Sequence, residues 1–196
     1  LLLGNTVERA SVHPQRVRWS ARDWLNWFED FDPEAIYPES GRADLIGPGG
    51  PITKIVGGPE AIVFQERAIY VANYVGGDLL WQFSEAERNR GTKVPNSVVR
   101  VGDLTYYVAE DGWYVFAGGQ SRPIGAGRIN DWWRDNFDSA FAHHVSQGVD
   151  VDRNLIYWAF PFGGSNGQCN KLLIYNYALD CWSQGEITLD WLIRFR

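Results

Sequence analysis

Methionine is absent from all 196 residues, and lysine nearly so: Lys54, Lys93 and Lys171 are the only ones among 18 basic side chains. The chain opens on Leu1-Leu2-Leu3-Gly4 and stops at Phe195-Arg196 without a capping pattern, so it is expected to be an internal piece of a longer protein. No apolar run approaches the roughly 18 residues a membrane-spanning helix needs, and no signal-peptide pattern is present. Positive charge does not dominate either. With 24 acidic residues the net charge is -6, which excludes the basic footprint of sequence-specific nucleic-acid binding. The basic residues that remain are nearly all arginine, suited to planar, multidentate contacts between packed surfaces, and this points toward assembly.

Cysteine is scarce as well. Cys169 and Cys181 flank NKLLIYNYALD, which reads as a strand and then a tight turn around Ala178 to Asp180. Folding back there leaves the two cysteines at opposite ends of a strand pair, beyond disulfide reach, so two free thiols are expected.

What the chain has in abundance is aromatic and turn-forming. Ten Trp, 21 Gly and 9 Pro accompany 45% hydrophobic and 21% charged residues, the composition of a globular, turn-rich all-β chain. Strand-like runs follow one another: 17–21, 51–58, 61–66, 68–75, 79–85, 97–102, 104–110, 112–118, 121–125, 143–150, 154–161, 171–177 and 181–187. An internal repeat links them. VFQERAIYVANYVGG and VAEDGWYVFAGG align so that Glu66 falls on Glu110, Tyr70 on Tyr114 and Val71 on Val115, each segment then running into Gly-Gly. Grouped in fours, the strands give units beginning near Ile52, Ser97 and Ala142, a spacing of roughly 45 residues that marks β-propeller blades. A sandwich would also show short strands but would not need the repeat. The expected fold is therefore all-β: a β-propeller or partial propeller occupying residues 1–196, with about three to four blades of four antiparallel strands.

A few short helical turns interrupt the rhythm. Ser20 to Asp23 resembles a capping box before DWLNWF (23–28), and Asn130 is placed to cap DWWRDNF, with Trp133 and Phe137 four apart on one face. Residues 29–51 read as a long loop punctuated by Pro and Gly.

Candidate chemistry is thin. Glu110-Asp111-Gly112 lacks a facing carboxylate partner for acid/base work, and Asp-Gly suits the corner of a hairpin. Asp150-Val-Asp152-Arg-Asn154 opens like a calcium loop but lacks its central glycine, and Pro161 stands where the bidentate glutamate belongs, so an Asx turn is expected. His143 and His144, adjacent in a strand, would point to opposite faces and could not share an ion. No G-x-S-x-G nucleophile motif occurs, and Phe162 to Gly167 lacks the lysine and helix of a phosphate loop, so it reads as a flexible hairpin tip. No catalytic residue, metal site or cofactor is expected. The tryptophans, including Trp19, Trp113, Trp158, Trp182 and Trp191, could form sugar-stacking platforms, but most fall where they are read as core and inter-blade packing, with Tyr70, Trp113 and Tyr114 in strands that pack between blades.

The stretches HPQRVRWSARDWLNW, AIVFQERAIYVANYVGG, VPNSVVRVGDLTYYVAEDGWYVFAGGQSRPIG, VDVDRNLIYWAFP and LLIYNYALDCWSQ together resemble β-propeller tail nozzle proteins of short-tailed phages, also called packaged-DNA stabilisation proteins. The resemblance spans nearly the whole chain. It implies a structural virion component of the phage tail, not an enzyme. Such a subunit self-associates into a cyclic ring, usually sixfold, below the portal and the head-to-tail adaptor, touches other tail proteins, and lines or gates the channel through which genomic DNA leaves. The chain is short for a closed propeller, so the remaining blades would come from further sequence. Loops 29–51 and 162–168 would meet neighbours through Phe31, Ile36, Tyr37, Arg42 and Phe162, an aromatic and arginine mix typical of interfaces. The alternative is a carbohydrate-binding or glycan-hydrolysing propeller acting on host surface glycans.

Overall fold

The computed structural model describes residues 1–8, 10–21, 39–77 and 79–192. The chain is mostly β, arranged in four antiparallel sheets, none of which closes on itself. They fall into two compact units, Leu1–Gly91 and Thr92–Arg196.

In the first unit, β1 (Leu2–Glu8), β2 (Ser11–Trp19) and β3 (Gly41–Asp44) form a three-stranded sheet, and β4 (Ile52–Val56), β5 (Ala61–Gln65), β6 (Ala68–Tyr74) and β7 (Trp81–Arg88) a four-stranded one. Val17 and Leu45 pack against Ile52, Ala61, Val63 and Ala72 between the two sheets. Gly4 marks their close approach, because a Cβ there would stand 2.7 Å from Ile52 Cγ2. All five residues of β5 are buried, so that strand is covered on both faces.

The second unit pairs β8 (Val99–Val101), β9 (Leu104–Ala109), β10 (Gly112–Ala117) and β11 (Gln120–Pro123) in one sheet. The other sheet holds β12 (Ser146–Asp150), β13 (Leu155–Pro161), β14 (Cys169–Asn176) and β15 (Cys181–Leu189). Within each sheet every strand hydrogen-bonds to the next in sequence. Between the sheets lies a cluster built on tryptophan. Trp113 and Trp158 are both fully buried with ring centroids 4.4 Å apart. Trp182 closes one side, 5.7 Å from Trp113, and its Nε1 donates to the Ile124 carbonyl at 3.0 Å. Helix α1 (Asn130–Asn136) adds Trp133, edge-on to Trp113 at 5.0 Å and stacked on Phe137 at 4.4 Å. The four-residue spacing expected of Trp133 and Phe137 is thus realised as a ring stack.

Asn130 departs from its expected role. Ile129 stands at the N-cap without a side-chain cap bond, and the Asn130 amide instead accepts from Trp113 N at 3.1 Å and donates to Asp111 O at 3.3 Å. It clasps the β9–β10 corner to the helix rather than capping the helix. Two further corrections concern the ends of elements. Residues 41–44, expected in a loop, form β3, and His143 and His144 end a 3₁₀ turn, Ser139–His144, rather than lying in a strand. The expected helical run 23–28 and residues 29–38 of loop 29–51 lie outside the described residues. Among the described residues no helix is long and apolar enough to cross a membrane.

Both cysteines are free, and the register shows why: Cys169 pairs with Leu189 while Cys181 pairs with Asn176, at the two ends of β14 and β15. Burial pushes the Cys169 thiol above its ordinary range, and Asp190 adds to the shift. Cys181 is exposed. An aromatic disulfide reagent should therefore titrate one thiol promptly in the native chain and the second only in denaturant. Two prompt thiols would contradict the packing of Cys169.

Candidate functional site

The corners account for the acidic pair. Gly112 pairs with Ala109, leaving Glu110 and Asp111 as a two-residue turn, and Gly112 takes φ +138°. A Cβ on Gly112 would fall on the Asn130 amide, so glycine is required by both backbone and space. Asp111 accepts from the Tyr114 hydroxyl at 2.6 Å, and Glu110 faces Lys93 at 3.7 Å on the surface. Glu66 and Arg67 form the matching two-residue corner between β5 and β6. The Asp150 region is an Asx turn: its Oδ1 accepts from the Asp152 and Arg153 amides at 3.1 and 3.0 Å, and Asn154 takes φ +59°. Among the described residues no three His, Cys, Asp or Glu side chains gather as a metal site.

One charged cluster holds the short strand β3. Arg16 reaches Asp44 with two nitrogens at 2.7 and 2.8 Å and Glu8 with a third at 3.0 Å. Arg18 approaches Glu8 at 3.3 Å, and Thr6 donates to it at 2.9 Å. Arg42, one of the expected interface residues, lies on β3 with its guanidinium half exposed, 3.9 Å from Glu8. The Arg16 hydrogen bonds, opposed by burial, set the Asp44 carboxyl below its ordinary range. Burial pushes Glu8 up, but the Thr6 hydrogen bond and the charges of Arg18 and Arg16 outweigh it and the net shift is downward. Depressed carboxylates add stability that is complete above their unfolded values, about pH 4, and lost as pH falls through the lowered folded values. The urea midpoint of the chain should fall between pH 6 and about 3, and Asp44→Asn should flatten part of that fall. An identical acid profile in the variant would remove this clamp from the account.

Phe162 lies in the second unit, at the start of the 162–168 tip. Its amide donates to Asn170 Oδ1 at 2.9 Å, and its ring faces Lys171 Nζ at 5.2 Å. Lys171 also pairs with Glu186 across β14 and β15, and that contact lowers the Glu186 carboxyl. Around this pair opens a shallow recess of about 450 Å³, lined by Phe162, Asn170, Lys171, Glu186, Ile187 and Thr188. Trp132, half-buried, flanks Lys171 and Glu186 beside it. The edge here is β15, nine residues with Glu186 as its only charge. The last strands of the other two four-stranded sheets are better defended, β7 by Glu85, Glu87 and Arg88 and β11 by its four-residue length and Pro123. Phe31, Ile36 and Tyr37 lie outside the described residues.

A second recess, of about 370 Å³, gathers His143, His144, Gly167, Gln168, Cys169, Asp190 and Trp191. The two imidazoles stand 4.2 Å apart, edge to face, so they share a neighbourhood that a strand would have denied them. His144 Nδ1 lies 2.6 Å from the Gly167 carbonyl, and Cys169 Sγ donates to the His144 carbonyl at 3.2 Å. Trp191, read from the sequence with the packing tryptophans, is instead 70% exposed, unlike Trp113 and Trp158 at 0%.

No protein-family model matches the chain, and no curated protein matches its sequence.

Reading the sequence alone missed this second recess. Its walls come from three separate segments, 143–144, 167–169 and 190–191, and no local spacing announces their convergence. The one available signal was Trp191, which sits beyond the last strand-like run and so had no strand partner to bury it.

Proposed function

We propose that the chain is a non-enzymatic structural subunit of a phage tail, a propeller-type module that assembles with copies of itself into a cyclic ring of the nozzle kind. Three successive four-stranded meanders at roughly 45-residue spacing support the propeller architecture. So does burial on both faces of β5, of Thr105 to Val108 in β9 and of Gly112 to Phe116 in β10, as stacked blades require. The single observation that carries assembly is the edge strand β15. A long outer strand with one charge, beside an aromatic patch of Phe162 and Trp132, invites a neighbour. The quoted motifs supply the rest of the reading: a place in the virion tail beneath the adaptor, contact with other tail proteins, and passage of DNA without sequence recognition. An acidic chain suits a conduit that does not hold its cargo. Glycan hydrolysis is disfavoured, since Glu110 and Asp111 are engaged in a hairpin corner, Asp111 with the Tyr114 hydroxyl and Glu110 with Lys93.

Imaging of the source particle tests this. The expected result is a ring of copies around a channel wide enough for duplex DNA. A particle without such a ring, together with a monodisperse monomer at high concentration, would overturn it.

A further inference from the structure

We propose that the recess beneath Trp191 binds a single neutral pyranose unit of a glycan. This goes beyond the ring reading and does not depend on it, because every group involved comes from one unit of one chain.

An exposed tryptophan forgoes roughly 1.5–3 kcal/mol of burial, and the other described tryptophans are buried or half-buried. Trp191 is nevertheless held. The Leu192 amide donates to Ser146 Oγ at 2.8 Å, with Ser146 itself buried on β12, and Leu192 Cβ lies 3.6 Å from where a Cβ on Gly148 would stand. These contacts hold the backbone beside Trp191, whose indole offers an exposed apolar face at the mouth of the recess. The apolar C–H face of a pyranose is the complement of such a surface, leaving its hydroxyls to the rim.

The rim supplies matching polar groups. Asp190 offers two acceptor oxygens, and Gln168 and His143 are exposed beside it. The back wall is fixed. A carbonyl only accepts, so the 2.6 Å contact to Gly167 O places a proton on His144 Nδ1 and fixes the ring in the wall. Gly167 takes φ +86°, and a Cβ there would stand 2.6 Å from the Phe141 ring and 2.9 Å from His144 Cε1, so the wall admits no side chain. Charge narrows the ligand. The recess contains a carboxylate and neither lysine nor arginine among its lining residues, which disfavours sialic acids and phosphorylated sugars. Size narrows it further, since 370 Å³ lies at the small end of the roughly 300–1,000 Å³ typical of ligand clefts. Chemistry on the sugar does not follow: the lining carries one carboxylate where glycoside hydrolysis uses a pair, and the Cys169 thiol is buried and donates to a carbonyl.

The test uses the whole chain and a panel of methyl glycosides of glucose, galactose, mannose and N-acetylglucosamine, with sialyllactose as the anionic comparison. Saturation-transfer NMR and tryptophan fluorescence should show saturable millimolar binding of at least one neutral glycoside and none of sialyllactose. Trp191→Ala should weaken that binding at least tenfold with an unchanged melting temperature. Trp191→Phe should recover part of it, and Asp190→Asn should weaken it without affecting the fold. Failure of every neutral glycoside to saturate, or binding indifferent to Trp191→Ala, overturns the proposal. A ring absent from the particle while the glycoside still binds would sink the nozzle reading and leave this one standing.

Discussion

Trp158→Ala should cost the second unit about 3–5 kcal/mol, the range for deleting a large buried aromatic. The side chain is fully buried, 4.4 Å from the Trp113 ring and stacked on Trp182 at 6.0 Å. Its removal leaves a cavity that rigid aromatic neighbours cannot readily collapse into. It also takes away a hydrogen bond, because Trp158 Nε1 donates to the Ser97 carbonyl at 2.8 Å. That carbonyl sits in a dry place, with the Ser97 hydroxyl already occupied by Val94 O at 2.7 Å and the Val108 amide at 3.2 Å. Trp158→Phe separates the two contributions. It restores much of the apolar volume but not the donor, and should retain a loss of roughly 1–3 kcal/mol for the stranded carbonyl. Urea unfolding followed by near-ultraviolet circular dichroism reads both variants. A loss below about 1 kcal/mol for the alanine variant would mean that the tryptophan cluster is not the core it looks like.

Gly91→Ala should destabilise the first unit by about 1–3 kcal/mol or more, although it adds only one methyl group. A Cβ at this position would fall on the Gln65 carbonyl and stand 2.9 Å from both the Arg67 and Ala68 nitrogens. These are backbone atoms of the β5–β6 corner, with no flexible side-chain end to swing aside. The corner has little freedom to retreat, since the Arg67 amide donates to Gly49 O at 2.8 Å and the Glu66 amide to Pro51 O at 3.2 Å. Gly57→Ala is the matched control. A Cβ there meets nothing within 4 Å, and the smaller entropy of the unfolded chain should leave that variant neutral or up to about 1 kcal/mol more stable. Equal melting temperatures for the two variants would refute the clash.

The strands that sequence reading located best are those whose signal is local. AIVFQ and AIYVANY are apolar runs bounded by a two-residue corner, and the same pattern recurs in LTYYVA and GWYVFA, so their repeat exposes the sheets directly. Gly41–Asp44 escaped because Ala43 is its only apolar side chain; an ion pair from Arg16 to Asp44, across the strand pair, takes the place of hydrophobic alternation. Leu2–Glu8 escaped because Gly4 and Asn5 break its pattern at a register shift, where Asn5 adopts φ +55°. Asn130 was placed at the right helix end but given the wrong task, since its partners at Asp111 and Trp113 are distant in sequence. The Glu110-Asp111 corner and the Asp150 turn were legible because Asx and Gly chemistry acts within a few residues. The Trp191 recess was not, being assembled by tertiary packing of segments that carry no shared motif.

The seven-residue tip 162–168 differs from the two-residue corners in one more respect, its capacity to carry foreign sequence. Gly163 and Gly164 have open space around them, whereas Phe162 and Gly167 at the base are anchored by Asn170 and His144. Loop-closure entropy grows slowly, by about 0.6 kcal/mol for each doubling of loop length. A peptide epitope or fluorogenic tag grafted between Gly163 and Gly164 would hang from two fixed posts and leave the β13–β14 register undisturbed, giving a handle on the protein at a point where its own packing makes no demand.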